Sequence, residues 1–417
     1  MTSIILAVFC VVYLGMILGG LPFLQLDRTG IALLGAIALI GVEAVSPEEA
    51  AKSIHLPTLI LLFSFMVISA QMRLGGFYAW VTRRLAALAL PAPLLLAALI
   101  LVVAALSAVF SNDIVCLAVA PVLIDACLAR RLDPVPYLLA LACAANVGSA
   151  ATLIGNPQNM LIGETLHLSF GGYFARALGP VALGLVATWG LIAWQTRGRW
   201  AAPEHEPTRA AASERREDGE APLDRWQTAK GLSVAAALVA VFLMLPAWPR
   251  DVAALTGAGL LLMSRKLHSN KMLGLVDWEL LILFIGLFVV NHSLQQTGIV
   301  AAIVVELAAA GVNLEQPAPL FVATLVLSNL VSNVPAVMLL LPFAAHALGG
   351  PTLALVSTLA GNLLIVGSIA NIIVIDAAAR RGIRIDWRRH ARIGVPVTLA
   401  TLAICAASLW WRALPAA

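Results

Sequence analysis

The chain has 417 residues, 61% hydrophobic and 12% charged, with a formal net charge of +4 and a mean hydropathy of +0.95. A soluble globular chain is about half apolar and about a quarter charged, so this balance excludes a water-surrounded fold. The small positive excess sits in short loops between apolar runs rather than on one surface, which excludes nucleic acid as the partner it serves.

Apolar runs long enough to cross roughly 30 Å of hydrocarbon recur along the sequence. Among them are residues 3–24, 29–47, 55–72, 172–195, 229–248, 276–292 and 391–411. The opening MTSIILAVFC lacks a basic region and a small-residue cleavage site, so it reads as a first span and not a leader. Residues 92–129 are two apolar arms around Ser111-Asn112-Asp113. Each arm reads as too short to cross, which predicts a re-entrant hairpin with its tip at mid-membrane. Residues 136–163 read as one span interrupted by AANVGSAATLIGNPQN, a broken helix. The stretch 197–230, rich in Pro, Ala, Glu and Arg, is a solvated linker. Beyond it a second hairpin is expected at 318–345 and a second broken helix at 352–377.

The two sides of the linker read as copies. Leu62-Phe63 precedes Ser111-Asn112 by the same 49 residues that separate Leu283-Phe284 from Ser332-Asn333, and Pro121 and Pro342 keep the same offset of 221. TLIGNPQN at 152–159 then lines up with LIVGSIAN at 364–371. The expected architecture is an all-α polytopic membrane protein of two repeats, 1–196 and 231–417. Each has five crossings plus a hairpin, and an odd number of crossings inverts the second copy. With both termini outside, 22 of the 26 Lys and Arg fall in cytoplasmic segments, the linker included. That is the excess the positive-inside rule requires of a bacterial-type inner membrane.

Lipid cannot satisfy a free peptide group, so unwound backbone within a span marks a place buried in protein or lining a site. The first tip offers Ser111, Asn112 and Asp113, and the first break Asn146, Gly148, Ser149, Thr152, Gly155, Asn156 and Asn159. The second tip offers Ser328, Asn329, Ser332 and Asn333, and the second break Asn362, Gly367, Ser368 and Asn371. Amides, hydroxyls and freed carbonyls suit a small anion or oxyanion and a coupling ion. Ser111, Asn112, Ser332 and Asn333 are the candidate Na⁺ ligands. Small residues can equally serve close helix packing, but four Asn-bearing breaks at repeat-related places point to a binding role. Asp113 has no acidic partner in the second copy, where Val334 stands. A mid-membrane acid is a functional-site candidate by default, so Asp113 is read as a single coupling carboxylate exchanging H⁺ or a cation; a helix cap is its structural alternative. Asp125 and Asp376 lie nearer the cytoplasmic face, where a snorkelling or salt-bridged role is expected. His292 and His346 are expected to be solvated or satisfied histidines. Cys10, Cys116, Cys127, Cys143 and Cys405 show neither CxxC nor Cys/His metal spacing, so no disulfide framework, zinc site or organic cofactor is expected.

The runs SNDIVCLAVAPVL, AANVGSAATLIGNPQNMLIG, SNLVSNVPAVMLLLPF and LAGNLLIVGSIANIIV resemble those of the ion transporter superfamily. The likeness is strongest to arsenite-efflux and citrate-transporter-like permeases, and more distant to divalent anion:sodium symporters. It implies a scaffold part and a mobile part carrying hairpins and broken helices, in a homodimer, with alternating access of the elevator type. The substrate it implies is arsenite, antimonite, or a carboxylate such as citrate or a dicarboxylate. Two departures bear on substrate. The dicarboxylate symporters have Ser-Asn-Thr where this chain has Ser111-Asn112-Asp113 and Ser332-Asn333-Val334, and some arsenite-type relatives have Gly-Asp-Pro-Pro-Asn where this chain has Gly155-Asn156-Pro157-Gln158-Asn159. Secondary active transport is therefore the expected function, with a passive channel or a Na⁺/H⁺ exchanger as alternatives. An enzyme is not expected, since neither HExxH nor GxSxG occurs.

Overall fold

Polar caps set where many of the apolar helices begin. In the computed structural model, which describes residues 1–20, 24–201 and 222–413, Asp27, Ser46, Asp133, Asn156, Ser169, Asp224 and Asp277 each accept a hydrogen bond from the first turn of the helix they precede. Such caps contribute about 1 kcal/mol apiece. The first half then runs α1 (Thr2–Leu18), α2 (Arg28–Gly41), α3 (Pro47–Ser53), α4 (Leu56–Leu74), α5 (Phe77–Ala86), α6 (Ala92–Val109), α7 (Asn112–Ala129), α8 (Pro134–Ser149), α9 (Pro157–Thr165) and α10 (Phe170–Gln195). The second repeats the order: α11 (Arg225–Met244), α12 (Arg250–Leu262), α13 (Ser269–Leu273), α14 (Trp278–Gln296), α15 (Ile299–Ala309), α16 (Pro317–Val331), α17 (Asn333–Leu340), α18 (Gly349–Ala360), α19 (Ile369–Arg380) and α20 (Trp387–Ala413). Among the described residues every named element is helical, and seven helices are long and apolar enough to cross a membrane. The middle of the linker, 202–221, lies outside the described residues. Its last residues do not stay extended: α11 starts at Arg225, because the Asp224 carboxylate captures the amides of Trp226 and Gln227.

Packing between the halves is reciprocal. α4 lies against α12 while α14, its counterpart, lies against α2; α7 meets α19 and α17 meets α9; α10 pairs with α20. Within each half, α6 packs on α8 and α16 on α18.

The hairpin arms differ from expectation. α6 and α7 each have 18 residues, about 27 Å of helix, which by length alone can cross. No helix breaker precedes Phe110, so the arm stays helical to Val109. The second hairpin is shorter, with 15 residues in α16 and 8 in α17.

One end of the bundle gathers the basic loops. Arg130 donates to the carbonyls of Ala86, Leu88 and Leu90; Asp133 N–H donates to Trp200 O; Asp224 N–H to Gly75 O; Lys230 to the carbonyls of Leu261 and Met263. Asp125 pairs there with Arg381, and Asp376 with Arg380, as expected of surface acids. Exposed tryptophans ring the helix ends: Trp194, Trp226, Trp278 and Trp387 at the basic end, Trp248, Trp410 and Trp411 at the other. Trp387 and Trp410 are 23 residues apart on α20, about 35 Å, the separation of two membrane interfaces.

At the opposite end Arg250, opening α12, pairs with Glu164 of α9 at 2.9 Å and donates to the carbonyls of Leu168 (3.1 Å) and Gly163 (2.8 Å). Both side chains are largely buried, 14% and 10% exposed. Removing one partner strands a buried charge, which costs about 3 kcal/mol or more. R250M should therefore lower the unfolding free energy by about that amount, and adding E164Q should restore part of it. Thermal and denaturant unfolding of the three variants in detergent checks this; equal losses in the single and double variants would contradict it.

Candidate functional site

Asn146 sits in the last turn of α8, fully buried. Its Oδ1 accepts from Asn112 Nδ2 (3.1 Å) and from Ser368 Oγ (2.9 Å), and its Nδ2 donates to Asn362 Oδ1 (2.8 Å) and, longer, to Asn371 Oδ1 (3.5 Å). One amide thus joins the first hairpin tip, the first break and the second break. Asn112, Asn146, Asn362, Ser368 and Asn371, expected as site residues from sequence alone, meet at this point.

The rest of the first break is held from within. Asn156 caps α9 by accepting from Asn159 N–H (2.9 Å) and donates through Nδ2 to Ser149 Oγ (3.0 Å) and Thr358 Oγ1 (3.2 Å). Asn159 Nδ2 donates to Thr152 O (3.0 Å), and Thr152 Oγ1 donates to Ala108 O (2.5 Å), tying the break to the end of α6. Gly155 O accepts from Asn112 N–H (3.3 Å), and a Cβ at Gly155 would lie 2.3 Å from Ser149 O, so only glycine lets tip and break meet. Gly148 has a packing role: a Cβ there would lie 2.4 Å from Ala104 Cα of α6. Asn156, Asn159, Thr152, Ser149 and Gly148 therefore build the break.

The second tip is less committed. Asn329 Nδ2 is used by its own helix, on Leu325 O (3.0 Å), while Asn329 Oδ1, Asn333 Oδ1 and Ser328 Oγ are buried without a hydrogen-bond partner. Gly367 and Gly361 lie against Asn329 and Asn333, so this tip faces its own break without bonding it. Ser332, which ends α16 and opens α17, has φ 74° and ψ 164°, a conformation that favours glycine and costs of order 1–3 kcal/mol for other residues. Ser111 at the first tip is relaxed, with φ −54°. Asn112 Oδ1 is also buried and unpartnered, as is Asn362 Nδ2. None of the helices opening at Ser111, Ser332 and Ser368 has a side-chain cap; apart from Asn112 N–H, which bonds Gly155 O, and Asn371 N–H, which bonds Ser368 O, this leaves first-turn N–H groups of α7, α17 and α19 available.

Asp113 is half-buried in the first turn of α7, and its carboxylate makes no hydrogen bond. It does not cap the helix. His292 bonds Gln296 and His346 accepts from Leu348 N–H, both local roles. Cys116 and Cys143 are buried and Cys10 is exposed. Sequence reading missed Thr358, which accepts from both Asn156 and Gln158, and also His390, whose Nε2 lies 3.1 Å from Asn362 O.

The citrate transporter family model, CitMHS, matches residues 4–360. A 46 kDa membrane protein of Mycobacterium leprae is 29% identical over 414 residues, 94% of this chain and 95% of that protein. A silicon efflux transporter of Oryza sativa subsp. japonica is 30% identical over 452 residues, 92% of each. Among solved structures, the YdaH transporter of Alcanivorax borkumensis superposes with a TM-score of 0.55 at 15% identity, over 99% of this chain and 97% of that one. That last likeness is one of fold.

Two outcomes follow from the hub and the strained tip. N146A strands several buried partners at about 1 kcal/mol or more each, so it should lower stability by about 3 kcal/mol, clearly more than N112A. S332G relieves the backbone and should raise stability by about 1 kcal/mol, whereas S111G should lower it. Unfolding midpoints in detergent check both rankings; N146A no worse than N112A, or S332G destabilising, would contradict them.

Proposed function

We propose that this chain, which belongs to the citrate transporter (CitMHS) family, is a secondary active transporter of a small oxyacid of the arsenite, antimonite or silicate kind, coupled to Na⁺ or H⁺. The observation that carries this reading is the make-up of the cluster around Asn146: amides and hydroxyls, with no Lys or Arg among the described residues hydrogen-bonded to it. Arsenous and silicic acids are uncharged at neutral pH and carry O–H groups that both donate and accept. Amides match them without the desolvation penalty of a multiply charged guest. The similarity to a silicon efflux transporter supports the same class. A second reading, a carboxylate such as citrate or a dicarboxylate, is favoured by the uncapped starts of α7, α17 and α19, whose free N–H groups suit anionic oxygens.

For the coupling ion, the unpartnered Asn112 Oδ1, Asn329 Oδ1 and Asn333 Oδ1 supply the hard oxygen ligands that Na⁺ takes, with Ser111 and Ser332 beside them. Asp113 supplies the alternative, a proton site in the same tip. The two halves are read as inverted repeats with tips and breaks near the midplane and an elevator-type moving part, in a homodimer. The basic end faces the cytoplasm of a bacterial-type inner membrane, with both termini outside. A passive channel is disfavoured because the side chains at the breaks are bonded across the middle of the bundle.

Proteoliposome uptake of labelled arsenite and citrate, with imposed Na⁺ or H⁺ gradients, tests the proposal. N112A and N333A should each reduce gradient-driven uptake at least tenfold, the effect of losing one charge-assisted contact of about 1.5 kcal/mol. D113N should lose gradient stimulation while keeping solute exchange. Normal transport in N112A and N333A would make the tips packing features, and equal gradient stimulation in D113N would remove Asp113 from coupling.

A further inference from the structure

His390 opens the buried face of α20, four residues into the helix, with 2% of its surface exposed. Its Nε2 lies 3.1 Å from the carbonyl oxygen of Asn362, a group that can only accept, so Nε2 carries the hydrogen and donates it. Nδ1 is then the bare nitrogen, and it is buried with no hydrogen-bond partner. The contact is built for: a Cβ at Gly394, one turn on, would lie 2.4 Å from Asn362 O and 2.9 Å from His390 Nε2. Any other residue there would force α20 off the break. Asn362 is one of three residues of the second break that reach the hub, with Ser368 and Asn371: its Oδ1 accepts from Asn146 Nδ2 at 2.8 Å. A continuous polar chain therefore runs from His390 through Asn362 and Asn146 to Asn112 at the first tip.

From this geometry we infer that His390 is a proton-linked positioning residue: its Nε2–H holds the main chain of the second break, and a proton taken up at Nδ1 releases it. This rests on the transport reading of the site. The proton adds to the Nδ1 lone pair and makes an imidazolium whose second N–H faces no acceptor. A buried charge without a partner is costly, so the charged ring favours an arrangement in which it meets water and Asn362 O is freed. Beyond the Asn362 carbonyl already bonded to Nε2, no charged neighbour on the helices packed against α20 offsets the charge. Of the helices packed on α20, α18 carries no titratable group, α8 brings Tyr137 and Cys143, and α10 brings Tyr173 and Arg176. The tyrosines donate elsewhere, to Ala92 O and Ala150 O. On or beside α20 itself, Asp386, Arg388, Arg389 and Arg392 are exposed. Direct water access is closed to a ring this deeply buried, so proton uptake and movement of the break must occur together.

The test uses the full chain in lipid nanodiscs. Nitrogen NMR of ¹⁵N-histidine protein, with the His390 signals identified by their loss in H390Q, should show the neutral Nε2–H tautomer in mildly alkaline buffer. Hydrogen exchange of the 359–371 segment, corrected for intrinsic rates, should rise about tenfold on acidification of wild type, the change expected for one lost hydrogen bond. H390Q keeps a donor of the same reach without a titratable nitrogen and should hold exchange low across the range; H390A should give fast exchange at every pH. A hydrogen on Nδ1 in wild type, or an H390Q profile that follows wild type, overturns the assignment. Neither readout uses transport, so failure of the transport reading would leave this result standing, and the reverse.

Discussion

Hydrocarbon offers no partner to a peptide group, so a helix that breaks inside a span must be supplied with one by its own protein. Here side-chain amides take the place of the missing turns. In the first break Asn159 serves Thr152 O, the Tyr173 hydroxyl serves Ala150 O, and the Asn112 main chain serves Gly155 O. In the second, Asn371 serves Gly361 O and Leu364 O, and His390 serves Asn362 O. An unmade bond at any of these would cost about 1–3 kcal/mol, enough in sum to exceed the stability of most domains. This requirement accounts for much of the asparagine at the breaks before any solute is considered. Among the described residues of the tips and breaks it leaves Asn112 Oδ1, Asn329 Oδ1, Asn333 Oδ1, Ser328 Oγ and Asn362 Nδ2 buried without a partner, and these are the groups a proposed ligand would find free.

The leftovers are unequally divided. The first tip is tied down by its main chain on Gly155 and its side chain on Asn146, and Ser111 is unstrained. The second tip makes no comparable bond to its break, carries two of the three unpartnered amide oxygens, and holds Ser332 in a disfavoured conformation. Strain of order 1–3 kcal/mol persists only where the surroundings compensate it or a ligand does. Asp113, with Val334 at the matching place, completes the asymmetry: one tip has the titratable group, the other the free oxygens. The two tips are thus unlike, although the helices of the two halves follow one order.

Much of this was legible in the sequence because the signal was repeated. Ser-Asn at one offset in both halves marked the tips, and the Gly- and Asn-bearing interruptions marked the breaks. Asn112, Asn146, Asn362, Ser368 and Asn371 do converge. What the sequence could not rank was their division of labour. Gly148 and Thr152 are polar or small for reasons of packing, and Asn156 and Asn159 spend their amides locally, yet from spacing they look the same as Asn146. Thr358 was missed because a hydroxyl in an apolar helix has no periodic signature, and His390 because it stands in the run Arg388-Arg389-His390-Ala391-Arg392, which reads as a basic loop; the meaning of each lies in what the facing helix presents.

The Arg250 cluster constrains how any moving part is drawn. A boundary between scaffold and carrier placed by analogy would put α12 on one side and α9 on the other. Arg250 crosses that boundary with three bonds: to the Glu164 carboxylate, Gly163 O and Leu168 O. Sliding α9 past α12 without rehydrating these groups would cost about 3–5 kcal/mol. One elementary charge crossing a potential of about 100 mV yields only about 2.3 kcal/mol. An elevator-type movement of the kind proposed would therefore take one of two routes. Either water reaches Arg250 and Glu164 as they part, which their position at the end of the bundle permits, or the start of α12 travels with α9. In the first route the pair is a latch on one state of the cycle. In the second the rigid unit is larger than the hairpins and broken helices alone, and the flexing falls in the connection between Met244 and Arg250, where α11 ends and Pro246 and Pro249 precede the next helix.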